Sequence, residues 1–78
     1  MSEVHETVPA QLCVGDRILL EPLTQYALTK PTHKQRAAAA SDPSAVTGFE
    51  RAVRAIILRT SVFDVAVPFT AKVSRVVG

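Results

Sequence analysis

Between residues 63 and 69 the chain alternates strictly, with Phe63, Val65, Val67 and Phe69 separated by Asp64, Ala66 and Pro68. A period of two places alternate side chains on opposite faces of an extended strand. The spacing therefore predicts a half-buried strand with Phe63, Val65, Val67 and Phe69 on the core side and Asp64 turned to water. Pro68 has no N–H for a ladder, so this strand belongs at a sheet edge. Thr70, Ala71 and Lys72 then turn the chain into a final strand over 73–77, the valine-rich terminus. Near the other end, Gly15-Asp16 signals a turn or bulge. Residues 17–21 follow as a short β-prone run that Pro22 closes.

The pattern over 49–60 supports two readings. At helical spacing, Val46, Phe49, Val53, Ile56 and Ile57 make one stripe, and Ser41-Asp42-Pro43 resembles a helix start, giving a helix over about 43–58. As a strand, Val53, Ala55 and Ile57 share one face, and Arg51 and Arg59 join them while Arg54 takes the other. Gly48 and Thr47 weaken the helix. The β-branched pair Ile56-Ile57 and the tight link through Arg59-Thr60-Ser61 favour a hairpin, so the strand reading is preferred.

Residues 22–48 have three of the five prolines and little periodicity. They read as a long mobile loop. The Ala37–Ala40 run has high helix propensity, Thr32 is a potential cap, and an isolated helix of that length is marginal in water. Residues 1–11 read as a flexible, polar N-terminal tail, leaving one small domain over 12–78.

Composition narrows the classes. The chain has 78 residues, 47% of them hydrophobic and 21% charged, which describes a single small core and excludes disorder. A lone cysteine, Cys13, excludes an intramolecular disulfide or a cysteine zinc site. Flanked by Leu12 and Val14, it reads as a small core or edge residue. No apolar run approaches the roughly 20 residues that span a bilayer. Glu3 and Glu6 do not fit a signal peptide, so a cytoplasmic location is expected. Glu3, Glu6, Asp16 and Glu21 against Arg17 give residues 1–21 a net −3, while residues 22–78 carry +5.

The order Leu12-x-Val14-Gly15-Asp16-Arg17-Ile18, a variable stretch, Arg51-x-Val53-x-x-Ile56 running into 62–69, and Val73-x-Arg75-Val76-Val77 carries a resemblance. It resembles the small SH3-like β-barrel proteins of actinobacteria and their phages, over about two-thirds of the chain and excluding 22–48. In that family a Val-Gly-Asp-Arg turn opens the first strand and a terminal valine-rich strand closes the barrel. The resemblance implies a mainly β, partly open SH3-like barrel with a long loop after its first strand. It also implies binding more than catalysis.

Candidate chemistry is sparse. His5 and His33, the only histidines, have no neighbours that form a nucleophile–base–orienter set, and no metal-ligand spacing or phosphate-cradling glycine loop occurs. No enzyme activity and no cofactor are expected. The partner-binding candidates are Lys30, Lys34 and Arg36, dense on the loop beside His33, with Arg51 and Arg54 flanking the apolar run. Such cations suit phosphates or an acidic protein surface, and the plainer reading of the same charges is solvation. The expected function is a small non-catalytic binding module working through a protein partner or self-association, possible oligomers included. The alternative is a nucleic-acid-binding accessory protein using the basic loop.

Overall fold

The computed structural model describes residues 3–77. It is mainly β, with strands β1 (Glu3–Thr7), β2 (Arg17–Ile18), β3 (Ser44–Arg51), β4 (Ala55–Thr60), β5 (Val65–Pro68) and β6 (Val73–Val77). All pair antiparallel in one open sheet of order β1-β6-β2-β3-β4-β5. One helix, α1 (His33–Ser41), and two 3-10 turns, Pro9–Gln11 and Glu21–Tyr26, complete it. The terminal strand returns to β2, the strand that the Val-Gly-Asp-Arg turn opens, and the sheet curls round a single core as a partly open barrel.

That opening turn is built locally. The Cys13 amide donates to Asp16 Oδ2 at 2.8 Å, and the Asp16 amide donates to the Cys13 carbonyl at 3.0 Å. Gly15 sits at φ 98°, a region open to glycine and strained for side chains with a Cβ. Its amide reaches Val46 O, and the Val46 amide reaches Asp16 O, both at 2.8 Å. The turn thereby pins the start of β2 to β3. Between Val46 and Gly48 the register of β3 shifts. Such a bulge bends a strand, so the first half of β3 pairs with β2 and its second half with β4.

The preferred strand reading holds and the alternative helix over about 43–58 is absent, but the run is broken: it forms the β3–β4 hairpin, with its turn at 52–54 and Val53 at the tip, 92% exposed, rather than on a strand face with Ala55 and Ile57. The β-branched content prevails over the helical stripe because pairing on both sides of β4 buries Ile56 and Leu58. The expected N-terminal tail is corrected at Glu3–Thr7, which pairs with β6 in register from Glu3↔Val77 to Thr7↔Val73. Its mostly exposed residues show no apolar alternation. The partner edge comes from the far end of the chain, and local sequence cannot announce it.

The long connection after β2 is present, but it is folded rather than a bare loop. Thr32 and Gln35 form a reciprocal capping box, with Gln35 N to Thr32 Oγ1 at 3.1 Å and Thr32 N to Gln35 Oε1 at 2.9 Å. Gln35 Nε2 also donates to Val62 O at 3.2 Å, tying α1 to the body. Ala39 and Leu23 are buried, and Tyr26 and Ala27 pack against the core.

The core joins both halves of the sheet: Ile18 and Leu20 after the turn, Val46 on β3, Leu58 on β4, Val65 and Val67 on β5, and Val73 on β6. Each fully buried aliphatic of this size contributes about 1.5–3 kcal/mol relative to exposure. Phe63, Val65 and Val67 are buried as the alternation required, but Phe69 is 39% exposed. The strand ends at Pro68 and the chain turns, with the Ala71 amide bonding Pro68 O at 3.0 Å, so the periodicity stops one residue short. Asp64 does not simply face water: it accepts from Arg59 and from the Thr60 amide. Cys13 is exposed rather than packed, because the turn directs Leu12 inward instead.

Candidate functional site

The second half of β3 has β4 on one side and, among the described residues, no strand on the other, since β2 pairs only with Ser44 and Ala45. The hydrogen bond from Ala52 N to Ala55 O, 2.9 Å, sets the phase of the hairpin. Bonded and non-bonded pairs alternate in an antiparallel ladder. Glu50/Ile57 is therefore a bonded pair, and Phe49 and Arg51 turn their N–H and C=O groups away from β4. Among the described residues, neither makes a backbone bond to a loop or turn on that open side.

Across the gap lies the 3-10 turn Pro9–Gln11, with Leu12 following it into the core. Between the two walls is a groove of about 180 Å³ lined by Pro9, Ala10, Leu12, Phe49, Arg51 and Ile56, with Glu50 at its rim. The register rows Phe49–Leu58–Val65 and Arg51–Ile56–Val67 place Phe49 and Arg51 at the outer end of the core-facing surface. Phe49 is nonetheless 45% exposed. The groove is thus an opening of the barrel wall onto its own apolar interior.

Charge around the opening is uneven. Glu50 is engaged by Arg59, Nη2 to Oε2 at 3.1 Å, and Arg59 Nη1 bonds Asp64 Oδ2 at 2.8 Å. Asp64, through its hydrogen bond and charge, and then Glu50 hold the Arg59 guanidinium above its ordinary pKa. Arg51 and Arg54 are exposed and make no ion pair among the described residues. With Glu50 engaged by Arg59, Arg51 is the cation lining the groove that has no acidic partner among the described residues, and Arg54 follows in the adjoining turn.

Of the residues singled out in sequence, Arg51 reaches the groove and Arg54 sits beside Val53 in the adjoining turn. Lys30, Lys34 and Arg36 lie elsewhere, exposed on the approach to α1 and its first turns, without ion pairs among the described residues. Pro9, Ala10 and Phe49 were not marked by sequence as site residues, because an open strand edge and a turn lying across from it are products of long-range pairing. The one local signal was Phe49, an aromatic beside glycine in an otherwise regular β run. The His5 ring meets Glu3 at 3.0 Å and no other polar side chain among the described residues. Among the described residues no group of three or more histidine, cysteine, aspartate or glutamate side chains is placed to hold a metal ion. Among the described residues no helix is long and apolar enough to cross a membrane. No protein-family model, curated protein or solved structure matches the chain.

Proposed function

We propose that this protein is a small non-catalytic binding module that works through a protein partner seated at the opening between β3 and the Pro9–Gln11 turn. The observation that carries the reading is the pairing of a partly apolar groove with a strand edge unpaired among the described residues, at Phe49 and Arg51, in one place. Unpaired edges are usual templates for another chain, and protected ones are blunted by proline, charge or cover. The β5 edge is blunted: Ala27 bridges Val65, the Leu28 amide bonds Asp64 O, and Pro68 offers no donor. The β3 edge at Phe49 and Arg51 carries charge, but among the described residues it has neither a bridging segment nor a proline. The family resemblance to small SH3-like barrels points the same way.

Selection from a random nonapeptide library tests the reading, with the Phe49→Lys variant as counter-selection. Enrichment on the parent chain of sequences that shift the amide signals of Phe49, Arg51 and Ile56 is expected. Equal enrichment on parent and variant would remove the reading.

A nucleic-acid-binding accessory role is the second reading, favoured by the unpaired cluster Lys30, Lys34 and Arg36. Only Tyr26 lies near it in sequence, so stacking platforms for single strands are lacking. The salt dependence of duplex binding decides it.

A further inference from the structure

We infer that the groove accepts an extended acidic segment of a partner protein, added as a strand to the open edge of β3 and anchored by one large apolar side chain. The inference rests on the binding-module reading and specifies the chemistry of its partner.

Three features lead to it. First, the outward N–H and C=O groups of Phe49 and Arg51 make a donor–acceptor row that an extended chain can pair with. Second, the groove has about 180 Å³. Roughly 150 Å³ of apolar cavity takes a benzene ring, so this one takes a side chain of leucine or phenylalanine size. Pro9, Leu12, Phe49 and Ile56 form the apolar part of its wall, a little over half of the whole. Third, the only carboxylate lining the groove, Glu50, is held by Arg59, whereas Arg51 and Arg54 have no acidic partner among the described residues. A carboxylate brought to that lip meets cations, and a lysine or arginine meets like charge.

The register of a strand sharpens the motif. Residues two apart share a face. A segment whose central residue enters the groove beside Phe49 therefore presents one of its second neighbours on the same face at the level of Arg51, and the other toward Thr47. The residues between them point to solvent and are unspecified. The sequence type has one glutamate or aspartate two positions from the apolar residue, on the side set by strand direction, and Glu-x-Leu-x-Glu covers both directions.

The test titrates the whole chain, by amide NMR, with three blocked pentapeptides: acetyl-Glu-Thr-Leu-Thr-Glu-amide, its version with lysine in place of both glutamates, and its version with alanine in place of leucine. The glutamate–leucine peptide is expected to shift Leu12, Phe49, Arg51 and Ile56 amides. The alanine version should bind about tenfold more weakly or worse, through loss of a buried apolar side chain. Arg51→Gln and Arg54→Gln should each weaken the parent peptide by about two- to fivefold, the range of exposed charge pairs. The double variant Arg51→Glu with Arg54→Glu should prefer the lysine peptide. Because these arginines are exposed, unchanged melting of the variants separates lost binding from lost folding.

Equal or tighter binding of the lysine peptide to the parent overturns the acidic assignment and leaves the module reading standing. No shift with any of the three overturns strand addition, and the library selection then judges the module reading separately. Shifts of the same amides with protein concentration alone, or with duplex DNA in preference to peptide, likewise overturn it, in favour of a second copy or of nucleic acid.

Discussion

Phe63 and Phe69 look equivalent in the sequence, two aromatics bounding one alternating run, and they differ sixfold in exposure, 6% against 39%. The cost of truncation follows burial and the cavity left behind. Phe63→Ala is expected to lose about 3–5 kcal/mol in chemical denaturation, enough to unfold a domain of this size. Phe69→Ala should lose well under half as much, and equal losses would show that Phe69 is packed in solution. Ser44 poses the opposite case. It is 2% exposed, and its Oγ has no hydrogen-bond partner. A buried hydroxyl without a partner costs desolvation for no return, so Ser44→Ala should leave stability unchanged or raise it. A loss above about 1 kcal/mol would mean that the hydroxyl is bonded.

At the scale of elements, the ladder phase makes a pattern that amide exchange reads directly. On β3 the Glu50 amide faces β4, while those of Phe49 and Arg51 face the opening. Glu50 should exchange slowly, and Phe49 and Arg51 fast. On β1, the Leu19 N to Ser74 O bond of 2.9 Å places the bonded β1–β6 pairs at Glu3/Val77, His5/Arg75 and Thr7/Val73. His5 and Thr7 should then be protected while Val4 and Glu6 are not. Equal rates within either strand would contradict the open edges. For α1 the stabilising parts are the capping box and the Gln35–Val62 contact. Basic residues in its first turns oppose the helix dipole, so intrinsic electrostatics offer it little. Thr32→Ala should cost about 1 kcal/mol, seen as faster exchange at Ala37–Ala40, with β3–β5 unaffected.

Across the whole molecule the two cationic sets are separate. Arg51 lines the groove and Arg54 lies in the adjoining hairpin turn, while Lys30, Lys34 and Arg36 lie on the approach and first turns of α1. Their roles are separable by salt. If the second set meets duplex DNA, three phosphate contacts give a log–log slope near about −2.7, falling by about one for each charge removed. Replacing Lys30, Lys34 and Arg36 by glutamine should flatten that slope and leave peptide binding at Phe49 intact. A parent chain that binds no duplex even at low salt ends the nucleic-acid reading. Stability should change little, since none of the three is buried.

The short-range pattern determined a good deal. The alternation over 63–69 specified the inward valines and the edge position of β5, Gly15-Asp16 specified the turn that opens β2, and Thr32 specified the cap of α1. Each depends on contacts within a few residues, where spacing and backbone preference suffice. Tertiary pairing decided the rest. Glu3–Thr7 is a strand because the β6 edge is there to receive it, and Ser44–Arg51 and Ala55–Thr60 are strands rather than one helix because β4, paired on both sides, buries Ile56 and Leu58. The groove is furthest from the sequence. Its walls come from Pro9–Leu12 and Phe49–Ile56, brought opposite one another by a strand that leaves β2 after two residues, and an absent neighbour has no signature in local order.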